Sequence, residues 1–126
     1  MGKIAKSISL TMMVVMVSML MGDHYHLHGV KAEITCEKVT YWLFPCISYG
    51  VLGGTVSPAC CDGVKTSLAA CKTVEDLRKK CQCVKDGAAL IPALNYTRVN
   101  DIPALCGTTC PYQVSPDVDC SKVTFT

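Results

Sequence analysis

The chain has 126 residues, ten cysteines and a formal net charge of +2, with 50% of residues hydrophobic and 6% aromatic. Its length allows one small domain and excludes a multidomain enzyme. The hydrophobic content excludes a disordered tail, and the weak charge excludes a strongly basic nucleic-acid binder. Ten cysteines in so short a chain is the composition of a disulfide scaffold.

Lys3 and Lys6 precede an apolar run over residues 8–21, broken only by Ser9, Thr11 and Ser18. A short positive region followed by such a run reads as a secretory signal; the run is too short for a comfortable membrane span. Cleavage is expected after Ala32, so residues 1–32 form the cleaved signal peptide and 33–126 the mature domain. The mature part keeps all ten cysteines and has nine basic and nine acidic residues, a net charge of zero. Attraction to anionic surfaces is therefore weak. His24, His26 and His28 alternate in a way that suggests metal ligation, but a polar stretch beside a cleavage site is the simpler reading. Neither a metal nor any other cofactor is expected. With no histidine after residue 28, Ser-His-Asp and Cys-His machinery is excluded, and no enzyme is expected.

The remainder reads as helices in succession. Val39, Leu43, Cys46 and Ile47 share one helical face, and Gly50, Gly53 and Gly54 make a turn. Ser57 before Pro58 is a helix start, with Cys61, Val64, Leu68 and Cys71 on one face. Thr73 and Asp76 form a capping signal for the next helix. Its inward stripe is Val74, Leu77, Cys81, Val84 and Ala88, and its polar stripe is Arg78, Gln82 and Lys85. A shorter fourth helix is expected over Thr97–Cys106, with Pro103 making its end irregular. From Gly107 onward, Pro111 and Pro116 argue for a tail without regular structure. Beyond Trp42, Phe44 and Phe125, the inward residues are small or aliphatic.

The cysteines are Cys36, Cys46, Cys60, Cys61, Cys71, Cys81, Cys83, Cys106, Cys110 and Cys120. Cys81-Gln82-Cys83 lacks the wider spacing that zinc sites use, so disulfides are the reading, and spacing alone leaves their partners open. The fold expected is all-α: a four-helix, disulfide-stapled bundle with a non-regular C-terminal tail. Each bridge contributes ~2–4 kcal/mol. A fold relieved in this way of filling its own interior has room for a hydrophobic tunnel.

The order C-x9-C-x13-CC-x19-CxC-x22-C-x13-C, from Cys36 to Cys120, resembles the plant non-specific lipid-transfer proteins, particularly type 1. Ile34-Thr35-Cys36, Pro45-Cys46-Ile47-Ser48-Tyr49, Gly53-Gly54, Cys60-Cys61-Asp62-Gly63-Val64 and Pro111-Tyr112-Gln113-Val114-Ser115 carry the same resemblance, as does the polar Gln82. It implies a secreted, monomeric carrier in the extracellular space or cell wall. Such a carrier takes fatty acids, lysolipids or phospholipids into the tunnel and meets membrane surfaces transiently, without nucleic acid. It implies the pairs Cys36–Cys83, Cys46–Cys60, Cys61–Cys106 and Cys81–Cys120. The lining expected by position is Leu43, Ile47, Val64, Leu68, Val84, Leu94, Ile102, Tyr112, Val114 and Val123.

Three features depart from that pattern. Leu77 occupies the place of the basic residue that anchors the lipid head group in the family, leaving Arg78, Lys85 and Tyr112 as head-group candidates. Cys71 and Cys110 are additional to the eight-cysteine set, and a fifth disulfide between them is expected to pin the tail. The neutral mature charge weakens any membrane-attacking role. Asn95-Tyr96-Thr97 is a formal glycosylation acceptor, read as unmodified. The same skeleton is similar to that of amylase and protease inhibitors, the alternative reading, alongside a surface-active defence protein.

Overall fold

The computed structural model describes residues 33–126; the expected leader and the three histidines lie outside the described residues. Among these, the order is α1 (Cys36–Leu43), a 3-10 turn (Phe44–Cys46), α2 (Ile47–Leu52), α3 (Pro58–Ala70), α4 (Val74–Ala89), α5 (Tyr96–Leu105) and a second 3-10 turn (Cys120–Lys122), with no strand. The segment α1–turn–α2 is the first expected helix, interrupted where Pro45 supplies no N–H to the helical ladder. With α3, α4 and α5 it makes the four-helix, all-α arrangement.

Local chemistry sets the helix limits. Thr35 Oγ1 accepts from the Lys38 N–H at 3.2 Å to open α1. Ser57 Oγ accepts from the Cys60 N–H at 3.1 Å to open α3, with Pro58 in its first turn. A reciprocal capping box starts α4: Thr73 Oγ1 accepts from the Asp76 N–H at 3.1 Å, and the Asp76 carboxylate accepts from the Thr73 N–H at 3.2 Å. Asn95, whose Oδ1 accepts from the Arg98 N–H, opens α5 one residue before the expected start and so serves as a cap. Pro103 lies inside that helix rather than ending it. The end comes at Gly107, φ 74°, where the Gly107 N–H bonds the Ala104 carbonyl and the Thr108 N–H the Pro103 carbonyl, closing a Schellman turn.

Four disulfides replace much of a conventional core: Cys36–Cys83 ties α1 to α4, Cys46–Cys60 the first 3-10 turn to α3, Cys61–Cys106 α3 to the end of α5, and Cys81–Cys120 α4 to the tail. They are the pairs that the resemblance implies. What apolar core remains is divided. One cluster contains Ile34, Val39, Leu77, Tyr112, Val114 and Val123; a smaller one contains Cys46, Cys60, Val64, Ile102 and Cys106. Helices α1 and α3 pack backbone to backbone at Gly63, where a Cβ would stand 1.7 Å from the Trp42 carbonyl oxygen.

Two expectations are corrected here. Phe44 is 67% exposed and Phe125 47% exposed, so neither is a core ring. Phe44 sits in the 3-10 turn, which rotates it off the helical stripe, and Phe125 is the penultimate residue. The tail also has one regular turn, at Cys120–Lys122, where Asp119 caps the Ser121 N–H and Cys120 is bound to Cys81.

Side chains of α4 and α5 hold the tail through its backbone. Arg78 Nε donates to the Val123 carbonyl and Lys85 Nζ to the Val118 carbonyl, both at 2.9 Å. Asn100 accepts from the Val114 N–H at 2.7 Å and donates to the Val114 carbonyl at 2.9 Å. Replacing Asn100 with alanine leaves both groups of a buried residue unpaired and is expected to cost about 1–3 kcal/mol, read from urea denaturation. Asn100→Asp, which keeps only the acceptor, is expected to leave the Val114 amide protected from hydrogen exchange. Equal stability of the alanine variant and the parent would contradict this.

Candidate binding cavity

Between the two apolar clusters lies a cavity of about 400 Å³, walled by residues of α1, α2, α3, α4, α5 and the tail. The size lies within the range of small-ligand pockets. Nine of the ten residues expected to line a tunnel border it: Leu43, Ile47, Val64, Leu68, Val84, Leu94, Ile102, Tyr112 and Val114. Val123 does not. It is buried against the first cluster, its carbonyl held by Arg78. Val39, Leu90, Ile91 and Val99 are among the further apolar residues of the wall, and the largely exposed Phe44 also touches it. Val39 and Val99 were legible, since each shares a helical face with an expected lining residue. A second depression of about 700 Å³ lies between the outer faces of α1 and α3, bordered by Glu37, Tyr41, Phe44, Asp62 and Thr66.

The polar part of the cavity wall comes from Thr40, Ser67, Lys80, Cys110 and Tyr112. Ser67 is satisfied internally, its Oγ donating to the Val64 carbonyl at 2.9 Å. Lys80 is only 4% exposed, and its Nζ donates to Tyr112 Oη at 2.8 Å. The ammonium lies 5.0 Å from the ring centroid, so it meets the hydroxyl end of Tyr112 rather than the ring face. No carboxylate among the described residues pairs with it. Burial pulls the Lys80 pKa below its usual value and pushes that of Tyr112 up. A lysine ammonium has three N–H donors, so two remain for an incoming acceptor.

Lys80 was absent from the sequence expectations because a charged residue is ordinarily assigned to the solvent face. The available signal was its register, three residues after Leu77 and on the same helical face. Leu77 itself is fully buried. Arg78 and Lys85 are engaged by tail carbonyls and do not border the cavity; of the three head-group candidates only Tyr112 does. The expected fifth bridge is not formed in this structure: Cys71 and Cys110 stand as free thiols. Cys71 belongs to the buried cluster, its Sγ within 3.4 Å of the Ser67 carbonyl, and Cys110 packs against that cluster.

The sequence profile of the protease inhibitor/seed storage/LTP family matches residues 36–120. The chain is 43% identical over 90 residues to a non-specific lipid-transfer protein of Helianthus annuus, covering 71% of this chain and 78% of that protein. Its fold is similar to that of barley non-specific lipid transfer protein 1 in complex with a lysophosphatidylcholine: TM-score 0.69, 33% identity, 72% of this chain and all of the barley chain. It is also similar to a wheat non-specific transfer protein complexed with two phospholipid molecules: TM-score 0.67, 38% identity, 71% of this chain and all of the wheat chain. The cysteine order, the four bridges, the hollow helical fold and these likenesses agree: the chain belongs to the protease inhibitor/seed storage/LTP family and, within it, to the non-specific lipid-transfer proteins.

Proposed function

We propose that the protein is a secreted, non-catalytic carrier of fatty acids, lysolipids or phospholipids. It takes an acyl chain into the cavity and directs the anionic head group to Lys80 and Tyr112. The observation that carries this reading is a buried ammonium that no carboxylate among the described residues pairs with, in the wall of a mostly apolar cavity. A buried charge is costly unless paired, and an ionised carboxylate or phosphate supplies the missing partner. Each methylene moved from water gains ~0.8 kcal/mol, which is offset by the cost of ordering ligand and protein. Chain contacts are non-directional, so specificity for the tail is broad and the head group provides the discrimination. The step is binding and release during transient contact with a membrane surface, by a monomer whose residues 1–32 serve as a removable secretory leader. No general base is required, and the mature sequence has no histidine to act as one.

Displacement of cis-parinaric acid by unlabelled fatty acid tests the reading. Saturable micromolar binding by the oxidised protein, lost on full reduction, is expected. An oxidised, helical sample that binds no fatty acid and no lysolipid would sink it.

A further inference from the structure

Two thiols have no part in the carrier chemistry. Cys71 is the C-terminal cap of α3, and Cys110 lies in the irregular segment between Gly107 and Tyr112. The two belong to one apolar neighbourhood, Cys71 inside the buried cluster and Cys110 packed on it. Cys110 also borders the cavity alongside Lys80 and Tyr112. A charge on Cys110 would be felt at Cys71, and a charge on either sulfur at Lys80. The eight remaining cysteines are all paired, a state that forms and persists in an oxidising compartment.

We propose that Cys71 and Cys110 are an oxidative cross-linking site, closing a fifth disulfide that fastens the tail to the end of α3 beside the polar wall of the cavity. The chemistry has a natural order. Cys110 is half-buried and reachable, so its thiolate attacks first, on a sulfur of the oxidant: glutathione disulfide or the disulfide form of a secretory-pathway oxidoreductase. A mixed disulfide forms and one oxidant thiol leaves. Cys71, buried and poorly ionised on that account, then loses its proton to solvent with the nearby Lys80 ammonium favouring its thiolate. It attacks the Cys110 sulfur and expels the second oxidant thiol. Two protein thiols become one S–S bond, and the two electrons and two protons convert the oxidant disulfide to two thiols.

The consequence is mechanical. The tail is already fixed at Val114 by Asn100 and at Cys120 by its bridge. A bond at Cys110 fixes the near side of Tyr112 as well, so this part of the cavity wall cannot swing outward to pass a ligand. The effect on ligand exchange rests on the carrier reading; the bond does not.

Mass spectrometry of the full chain after passage through a eukaryotic secretory pathway tests the bond. All ten cysteines are expected to resist iodoacetamide in guanidinium without reductant, and a tryptic digest is expected to hold peptide 66–72 linked to peptide 99–122. Two added carbamidomethyl groups, at Cys71 and Cys110, with the other eight protected, would overturn the proposal. For the mechanical part, a C71A/C110A variant retaining four bridges is expected to release cis-parinaric acid at least about fivefold faster than the cross-linked parent. An unchanged release rate would overturn that role. Should the double variant fail to fold, selective reduction of the parent, followed by alkylation of only those two cysteines, makes the same comparison. Failure of the bond appears in the mass, whereas failure of the carrier reading appears as absent binding.

Discussion

Replacing Lys80 with methionine is expected to weaken palmitate binding about 10- to 100-fold while making the ligand-free protein harder to unfold. Hydrogen bonds to a charged group contribute ~1.5–3 kcal/mol, and each ~1.4 kcal/mol is tenfold in affinity. Hexadecanol has the same chain without the charge, and its affinity is expected to be nearly unchanged. Among the described residues the ammonium's hydrogen-bond partner is a phenol oxygen, and removing the buried charge is expected to gain about 1–3 kcal/mol. Isothermal titration with both ligands and urea denaturation make the comparison. Equal losses for palmitate and hexadecanol would assign Lys80 to packing rather than to head-group binding.

The same group predicts a pH dependence. Its folded pKa lies below its unfolded value because of burial. Between those two values the unfolded state binds more protons, so the stability of the free protein rises with pH there; below the folded pKa the burial cost is fully present. A bound carboxylate favours the ammonium, so binding is accompanied by proton uptake, and affinity falls as pH rises through the Lys80 pKa. It falls again on the acid side, as the ligand carboxylate protonates near its ordinary range of about 4–5. The alkaline decline is expected to vanish in Lys80→Met, and the acid one to shrink.

The second large effect concerns Gly63. Gly63→Ala places a methyl group 1.7 Å from the Trp42 carbonyl oxygen and 2.7 Å from its carbon. Both are backbone atoms, so no side-chain rotation relieves the overlap, and α1 and α3 must separate. Cys60 and Cys61, beside it on α3, are both bridged and resist that separation. A loss of about 3 kcal/mol or more is expected. Gly87→Ala makes the opposite case: it lies in the last turn of α4, where an added methyl group would have nothing within 4 Å, and a gain of about 0.5–1 kcal/mol is expected. Urea midpoints of the two variants, followed through the single tryptophan, Trp42, are expected to move in opposite directions. A parent-like midpoint for Gly63→Ala would show that the helices part at little cost.

The helices were legible because their signals are local. Ser57-Pro58, Thr73 with Asp76, and the apolar recurrence along each segment act within a few residues, and the structure uses them as caps and stripes. The first 3-10 turn was not legible in its consequence: Pro45 announces a break, but the direction in which Phe44 then points depends on the geometry of the turn. Six of the lining residues, Leu43, Ile47, Val64, Leu68, Val84 and Ile102, followed from helical faces; Leu94, Tyr112 and Val114 lie outside the helices and border the cavity too, whereas Val123, farther along the tail, packs on the first cluster instead. Lys80 was hidden for another reason. Its partner Tyr112 is 32 residues away, and a lysine among apolar neighbours reads as solvent-facing until its partner is located. Arg78 and Lys85 looked equally available, yet both meet tail carbonyls that no sequence pattern marks.

The division of the apolar core has a consequence for the life of the carrier. With the centre left open between two clusters, the lipid acts as the missing piece of the interior, and loading and folding share one free energy. At a free lipid concentration a hundredfold above Kd, the loaded form is more stable by about 2.7 kcal/mol. Each delivery therefore returns the protein to its least stable form. Unfolding and proteolysis act preferentially on molecules that have just unloaded, so a population supplied with lipid persists and an idle one is cleared.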